Sequence, residues 1–249
     1  MRAALRIALS VLALASFPVA GCTPKPPIEE GRLVIAFPGA PSGIDPRLST
    51  DAYGTQILQM THASLLRLDA SGNPVPELAE GWEERSPTEI VFRLRNGVQF
   101  HDGRELTSAD VRYTFEWILD PANRSPHRTT YDPIRSIETP DPRTVIFRLS
   151  EPFAPFLVGM TRGIVPAGSP AAGYSPPIGA GPYRVDDYQQ DAEIRLSRFE
   201  GYFAGPPRIE TIVVKFLPDS NVRFLELRKG SVNFVLNGVD PDLIPSALA

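Results

Sequence analysis

The sequence predicts a mixed α/β fold, and two observations carry that prediction. Short apolar runs closed by Gly, Pro, Asn or Asp recur along residues 32–239, which is the pattern of strands ended by turns. Between them lie stretches whose apolar residues fall at helical spacing, with capping residues in place. A 249-residue chain that is 42% hydrophobic and 22% charged holds enough apolar surface for one large or two ordinary domains.

The first run, "RLVIAF", is stopped by Pro38 and Gly39 and reads as a buried strand. The loop "PSGIDPRLST" follows. Over residues 51–62, Tyr53, Ile57 and Met60 recur at helical spacing, and Ser49 or Thr50 stands where a cap is needed. "SLLRLD" reads as a strand and "ASGNP" as a turn, with "PELAEGWE" after it. "EIVFRLRNGVQF" reads as two strands around Asn96-Gly97, a dipeptide that tolerates positive φ and favours hairpins. "IVFRL" at 90–94 and "VIFRL" at 145–149 nearly repeat, and shared strand composition explains them better than duplication. Residues 162–182, rich in Gly, Pro, Ala and Ser, read as loop before a strand that starts near Tyr183. "EIRLSRF" and "TIVVKFL" are two more strands. Asp219 then caps a helix in which Val222, Phe224 and Leu225 supply apolar contacts; Arg228 and Lys229 suit its negative end, and Gly230 stops it. "VNFV" is a last short strand.

"FHDGRELTSADV" sets His101 beside Asp102, Glu105 and Asp110, the raw material of acid–base or metal chemistry. Each acid has a structural role instead. Asp102-Gly103 is a turn dipeptide. Thr107 and Asp110 have the spacing of a capping box, with Leu106 and Val111 as its hydrophobic staple. The helix so started turns Val111, Phe115 and Ile118 inward and stops near Asp120, because Pro121 disfavours helical geometry in the residue before it. Among only three histidines no pair is spaced to share a helix face, so His101 reads as a hydrogen-bonded turn residue rather than a metal ligand or catalytic base. No nucleophile elbow, zinc-protease motif or Walker loop is present, and "GAG" at 179–181 runs into Pro182 instead of opening a nucleotide-binding helix. The aromatics Tyr53, Trp82, Phe115 and Trp117 are expected in the core rather than stacked on a ligand. No cofactor is expected.

The formal charge of -4 and the absence of a basic run exclude nucleic acid as a partner. Residues 1–21 have a cationic start, an apolar run and small residues before Cys22, which is the pattern of a secretory signal. The apolar run at 7–17 is shorter than the roughly 20 residues a bilayer-spanning helix takes. "VAGC" resembles the lipobox of bacterial lipoproteins, so Cys22, the single cysteine, is expected to carry lipid and become the mature N-terminus. Residues 22–31 are Pro-rich and suit a tether to the membrane.

"GVQFHDGRELTSADVRYTFEWILDP" closely resembles the signature of the family 5 extracellular solute-binding proteins, the peptide- and nickel-binding components of ABC importers. "LDASGNPVPELAEGWE", "TVIFRLSEPFAPFL", "PIGAGPYRV" and "LPDSNVRFLELRKGSVNFV" match that family in the same order. The resemblance implies a two-lobed, periplasmic-binding-protein-like clamshell that closes on a solute and delivers it to ABC permease subunits, without catalysis. Family members are about twice as long, so residues 32–239 correspond to the first lobe only, and 240–249 to the start of a crossing to a second. In relatives the loop after the first strand lines the cleft. Leu48, Ser49, Thr50 and Asp51 are therefore the candidates for solute contact, although Ser49, Thr50 and Asp51 are equally suited to capping the next helix. Dispersed histidines give little support to direct nickel binding, which leaves a peptide as the expected solute. Two other readings remain: an envelope lipoprotein that binds a protein partner without solute transport, and an exported hydrolase dependent on His101.

Overall fold

The computed structural model describes residues 30–170 and 178–236. The expected signal sequence, Cys22, most of the tether and the crossing segment 240–249 lie outside the described residues. In chain order the elements are β1 (Arg32–Phe37), α1 (Ala52–Thr61), β2 (Leu66–Leu68), β3 (Pro74–Pro76), β4 (Ala79–Ser86), β5 (Glu89–Leu94), α2 (Ser108–Leu119), α3 (Arg128–Tyr131), β6 (Ile134–Asp141), β7 (Thr144–Leu149), α4 (Phe156–Gly159), β8 (Tyr183–Gln189), β9 (Glu193–Arg198), β10 (Thr211–Phe216), α5 (Ser220–Lys229) and β11 (Phe234–Val235).

The strands form a five-stranded sheet in the order β11-β1-β10-β9-β8, a four-stranded sheet in the order β4-β5-β7-β6, and the small pair β2-β3. β1 runs parallel to both of its neighbours, with Val34 opposite Val213 and Ile35 opposite Phe234. It is covered on both faces: Val34 and Ala36 join a small cluster with Val213 and Val232, while Phe37 joins a larger one with Val214, Phe216 and Ile57 of α1. A strand covered on both faces has no need of alternation, which is why "RLVIAF" reads as a continuous apolar run. Gly31, assigned above to the tether, already accepts hydrogen bonds from Glu210 and Thr211 through its carbonyl and so belongs to the fold.

The four-stranded sheet is antiparallel and carries α2. Its two central strands are the near-repeats, paired with Ile90 opposite Phe147 and Phe92 opposite Val145. They read alike because they occupy the same environment. The Phe147 ring meets Phe92 at 5.7 Å and Phe115 of α2 at 5.4 Å, both edge-on, and all three side chains are fully buried. α2 starts and stops as its sequence requires: Asp110 Oδ2 accepts from Thr107 N at 2.7 Å, and Asp120 is the C-cap. Leu106, Val111, Phe115 and Ile118 are all in the core.

Three expectations fail. Asn96-Gly97 does not close a hairpin: β5 pairs with β4 and β7, and beyond the turn there is only a bridge between Gln99 and Glu105. The partner of β5 is chosen by burial against distant strands rather than by the nearest turn. The cap of α1 is Asp51, whose carboxylate accepts from Gly54 N at 2.7 Å, and neither Ser49 nor Thr50 serves. Of the three apolar residues expected to pack from α5 only Phe224 is buried; Val222 and Leu225 are 44% and 49% exposed. Asp219 and Gly230 do cap that helix, with Gly230 at φ +78°.

Candidate solute-binding site

The loop from β1 to α1 is held from inside by an ion pair. Arg47 Nε and Nη2 meet Asp45 Oδ1 and Oδ2 at 3.0 and 2.7 Å, a two-pronged match of guanidinium to carboxylate. Both side chains are almost wholly buried. Arg47 Cζ also lies 4.3 Å from the centre of the Trp117 ring, so this tryptophan, expected in the core, shields the pair. Further along, Ser125 Oγ donates to Arg47 O at 2.7 Å and His127 Nε2 to Ser49 O at 2.8 Å. The loop is thus fixed at several points before α1 begins, which presents residues 46–50 in one conformation.

Between this loop, α1 and the segment after α4 lies a cavity of about 310 Å³. Ser49, Thr50, His62, Glu77, His127 and Arg162 are among its lining residues. Of the four candidates, Ser49 and Thr50 line it; Leu48 does not, and Asp51 is turned to its capping role and to Ser42. Those two bonds and the one from Gly54 hold the Asp51 carboxyl below its usual range despite the opposing effect of burial. Tyr53, Trp82, Phe115 and Trp117 are not lining residues.

The polar groups in the wall have definite protonation. Thr61 Oγ1 donates its one proton to Ile57 O, so it accepts from His62 Nδ1 at 3.0 Å, and His62 Nε2 is left as an acceptor. That atom is buried without a hydrogen-bond partner, as is Ser49 Oγ. Burial, with a lesser contribution from His101, pushes the His62 pKa down to about 3, so the ring is neutral. His127 donates through Nε2 and accepts at Nδ1 from Arg162 Nη2 at 3.2 Å; burial and then the Arg162 charge lower its pKa. Glu77 Oε2 accepts from Ser64 N and Oγ at 2.8 and 2.6 Å, yet burial still holds its carboxyl above the usual range. Unsatisfied buried polar atoms are costly, so Ser49 Oγ and His62 Nε2 mark a locally unfavourable polar arrangement beside the cavity.

Glycine closes the back of the site. A Cβ on Gly179 would come within 2.0 Å of Thr61 O, and one on Gly181 within 2.5 Å of Thr61 C. The "GAG" segment therefore lets backbone press on the end of α1, a contact that composition alone did not reveal. His101 holds the same segment: Nδ1 accepts from Gly179 N at 3.4 Å and Nε2 donates to Gly181 O at 3.1 Å. His101 is a structural clamp, which removes the motive for reading it as a hydrolytic base. Among the described residues, no group of three or more His, Cys, Asp or Glu side chains is placed to hold a metal ion, and no helix is long and apolar enough to cross a membrane.

His62, Glu77, His127 and Arg162 were not singled out from the sequence. They come from four separate stretches, none with a spacing motif, and only the fold brings them together.

The sequence profile of the bacterial extracellular solute-binding proteins, family 5 (middle region), matches residues 73–248. Di/tripeptide-binding protein 2 of Pseudomonas aeruginosa is 31% identical over 97% of this chain and 50% of its own length. The solved structure of the oligopeptide-binding protein AppA of Bacillus subtilis, in complex with a nonapeptide, is 28% identical and superimposes with a TM-score of 0.80, over 87% of this chain and 45% of that one. NikZ from Campylobacter jejuni, in complex with Ni(L-His), has the same fold at 24% identity and a TM-score of 0.81, over 88% and 45% of the two chains. The chain spans about half the length of the curated relatives it matches. These relatives are named as binding proteins, not enzymes.

Proposed function

The chain belongs to the bacterial extracellular solute-binding proteins, family 5, and on that footing we propose that it is the substrate-binding component of an ABC import system. It captures a solute outside the cytoplasmic membrane and passes it to the permease. The observation that carries this reading is the polar cavity beside α1, lined by Ser49, Thr50, His62, Glu77, His127 and Arg162. Ser49 and Thr50 are the contacts contributed by the loop; Leu48 and Asp51 support them by position. A peptide is the favoured solute, because two of the similar proteins are named for peptide binding. The same reading has the chain exported by residues 1–21 and anchored through lipid on Cys22.

A thermal-shift series with mixed di- and tripeptides tests the first claim. A ligand that binds only the native state at 100 times its Kd adds about 2.7 kcal/mol of stability. A raised midpoint that weakens in Ser49→Ala supports the reading, and no shift with any peptide at millimolar concentration overturns it. Intact mass of the native protein extracted with detergent tests the anchor, since acyl chains on Cys22 add mass that Cys22→Ser removes.

One observation favours a second reading, a lipoprotein that binds a protein partner without transport. Val222 and Leu225 of α5 and Phe234 of β11 are exposed apolar side chains on elements that touch. Association that Leu225→Gln abolishes, together with no peptide shift, would favour it.

A further inference from the structure

The Asn96-Gly97 turn closes no hairpin, and its polar groups are left free. Both residues are exposed, and Gly97 sits at φ +68° with nothing within 4 Å of the place a Cβ would take. Neither the Asn96 side chain nor Gly97 N makes a hydrogen bond among the described residues. The chain on either side is held: Arg95 N donates to Leu78 O at 2.9 Å, and Val98 O accepts from Leu106 N at 2.8 Å. The other described asparagines are placed differently. Asn73 precedes Pro74, which has no N–H. Asn123 donates through Nδ2 to Trp117 O at 2.9 Å, and the following Arg124 N is taken by Pro121 O. After Asn221, Val222 N donates to Asp219 Oδ1 at 3.0 Å, and Asn233 Oδ1 accepts from Val34 N at 2.7 Å. Asp102-Gly103 is tied as well, with Gly103 N on Phe100 O at 2.9 Å and the carboxylate on Arg104. A second Asn-Gly, at 237–238, lies outside the described residues.

An asparagine followed by glycine closes a five-membered ring on itself more readily than others, because glycine has no Cβ to crowd the attacking nitrogen. A hydrogen bond from that N–H, or one that pins the side-chain amide, would oppose the closure, and here neither exists. We propose that Asn96-Gly97 is a site of spontaneous deamidation in the folded protein, and that its isoaspartate form loosens the connection from β5 to α2. Gly97 N loses its proton and bonds to Asn96 Cγ, while Nδ2 takes up a proton and leaves as ammonia. Water then opens the succinimide at one of its two carbonyls. Breaking the bond from Gly97 N to Cγ gives aspartate, which adds only a negative charge to an exposed turn. Breaking the bond from Gly97 N to the Asn96 carbonyl carbon gives isoaspartate, whose main chain runs through Cβ and Cγ and is one carbon longer. That extra carbon falls just before buried Val98, whose carbonyl holds Leu106 N next to the capping box of α2.

The test holds the full chain in mildly alkaline buffer at body temperature and maps its peptides by mass spectrometry with electron-transfer fragmentation, which separates aspartate from isoaspartate. Asn96 should gain the mass of an amide-to-acid change at least about tenfold faster than Asn123 or Asn221, which corresponds to a barrier lower by ~1.4 kcal/mol. Its rate should be close to that of the same chain unfolded in urea, and should rise with pH because the attacking nitrogen must lose its proton. Asn96→Gln, which would need a six-membered ring, should stay unchanged over the same period. No conversion at Asn96 in the folded chain while the urea-unfolded chain converts overturns the site, and so does a mass gain confined to Asn237. The isoaspartate fraction, isolated by ion exchange, should unfold several degrees below freshly prepared Asn96→Asp, which carries the charge on an unaltered main chain. Equal midpoints for those two forms overturn the loosened connection.

Discussion

His62 gives the site a pH dependence that belongs to one side chain. In the unfolded chain its pKa is near 6.5, and in the fold it is about 3. Between those values the unfolded chain binds a proton that the folded one rejects, so stability is complete above about pH 6.5 and falls as the pH drops toward 3. The slope for one such group is ~1.4 kcal/mol per pH unit. His101 and His127 are also lowered by burial and add to the same trend, so wild type alone does not isolate His62. Urea unfolding from pH 7.5 down to 4.5 should therefore show a shallower loss in His62→Gln than in wild type, and parallel curves would refute the buried neutral imidazole. None of this is visible in "MTHAS", where His62 is a polar residue at a helix end; its burial comes from Gly163 and Gly179, which are over 100 positions away. Asp51 is the opposite case. Capping is local chemistry, so the sequence narrowed the cap to Ser49, Thr50 and Asp51, and the structure takes the last of them.

At the scale of elements, legibility followed how local the cause was. α2 was readable from end to end because its box, staple and proline stop lie within the helix and its flanks. β4 and β6 went unrecognised, since "AEGWEERS" and "IRSIETPD" are half exposed and lack an apolar run. The failed hairpin at Asn96-Gly97 has the same cause, a partner fixed by β7 from fifty positions away. The contact between the 178–182 segment and α1 is the least legible of all, because it needs the absence of side chains. Gly179→Ala must move Thr61 O or the segment itself, at a cost of about 1–3 kcal/mol, typical of overpacking. Gly81→Ala in β4 meets nothing within 4 Å and has no positive φ, so it should change stability by about 0.5 kcal/mol or less. Chemical denaturation of the two variants distinguishes them, and a neutral Gly179→Ala would mean that the close packing is not required.

Among the described residues there are two large hydrophobic clusters, one under each large sheet, besides the small one on the other face of β1, and the cavity lies where the chain passes between the two large ones. His101 is placed at that seam. It follows Phe100 of the first core and binds Gly179 and Gly181, which lead into β8 of the second. Its ring also meets Phe199, just past β9, edge-on at 5.1 Å, and Phe199 N donates to Pro182 O. If these contacts join the two cores into one cooperative unit, wild type should unfold in one calorimetric transition with van't Hoff and calorimetric enthalpies equal. His101→Ala removes two side-chain hydrogen bonds and leaves Gly181 O short of a partner, a loss of about 2 kcal/mol. For a chain of this size that is a fall of about 4–8 °C in midpoint. The more telling readout is the enthalpy ratio, which should drop below one as the sheets begin to unfold separately. A lower midpoint with an unchanged ratio would make His101 a local clamp only, and cooperativity would then have to come from the packing of α1 against β8.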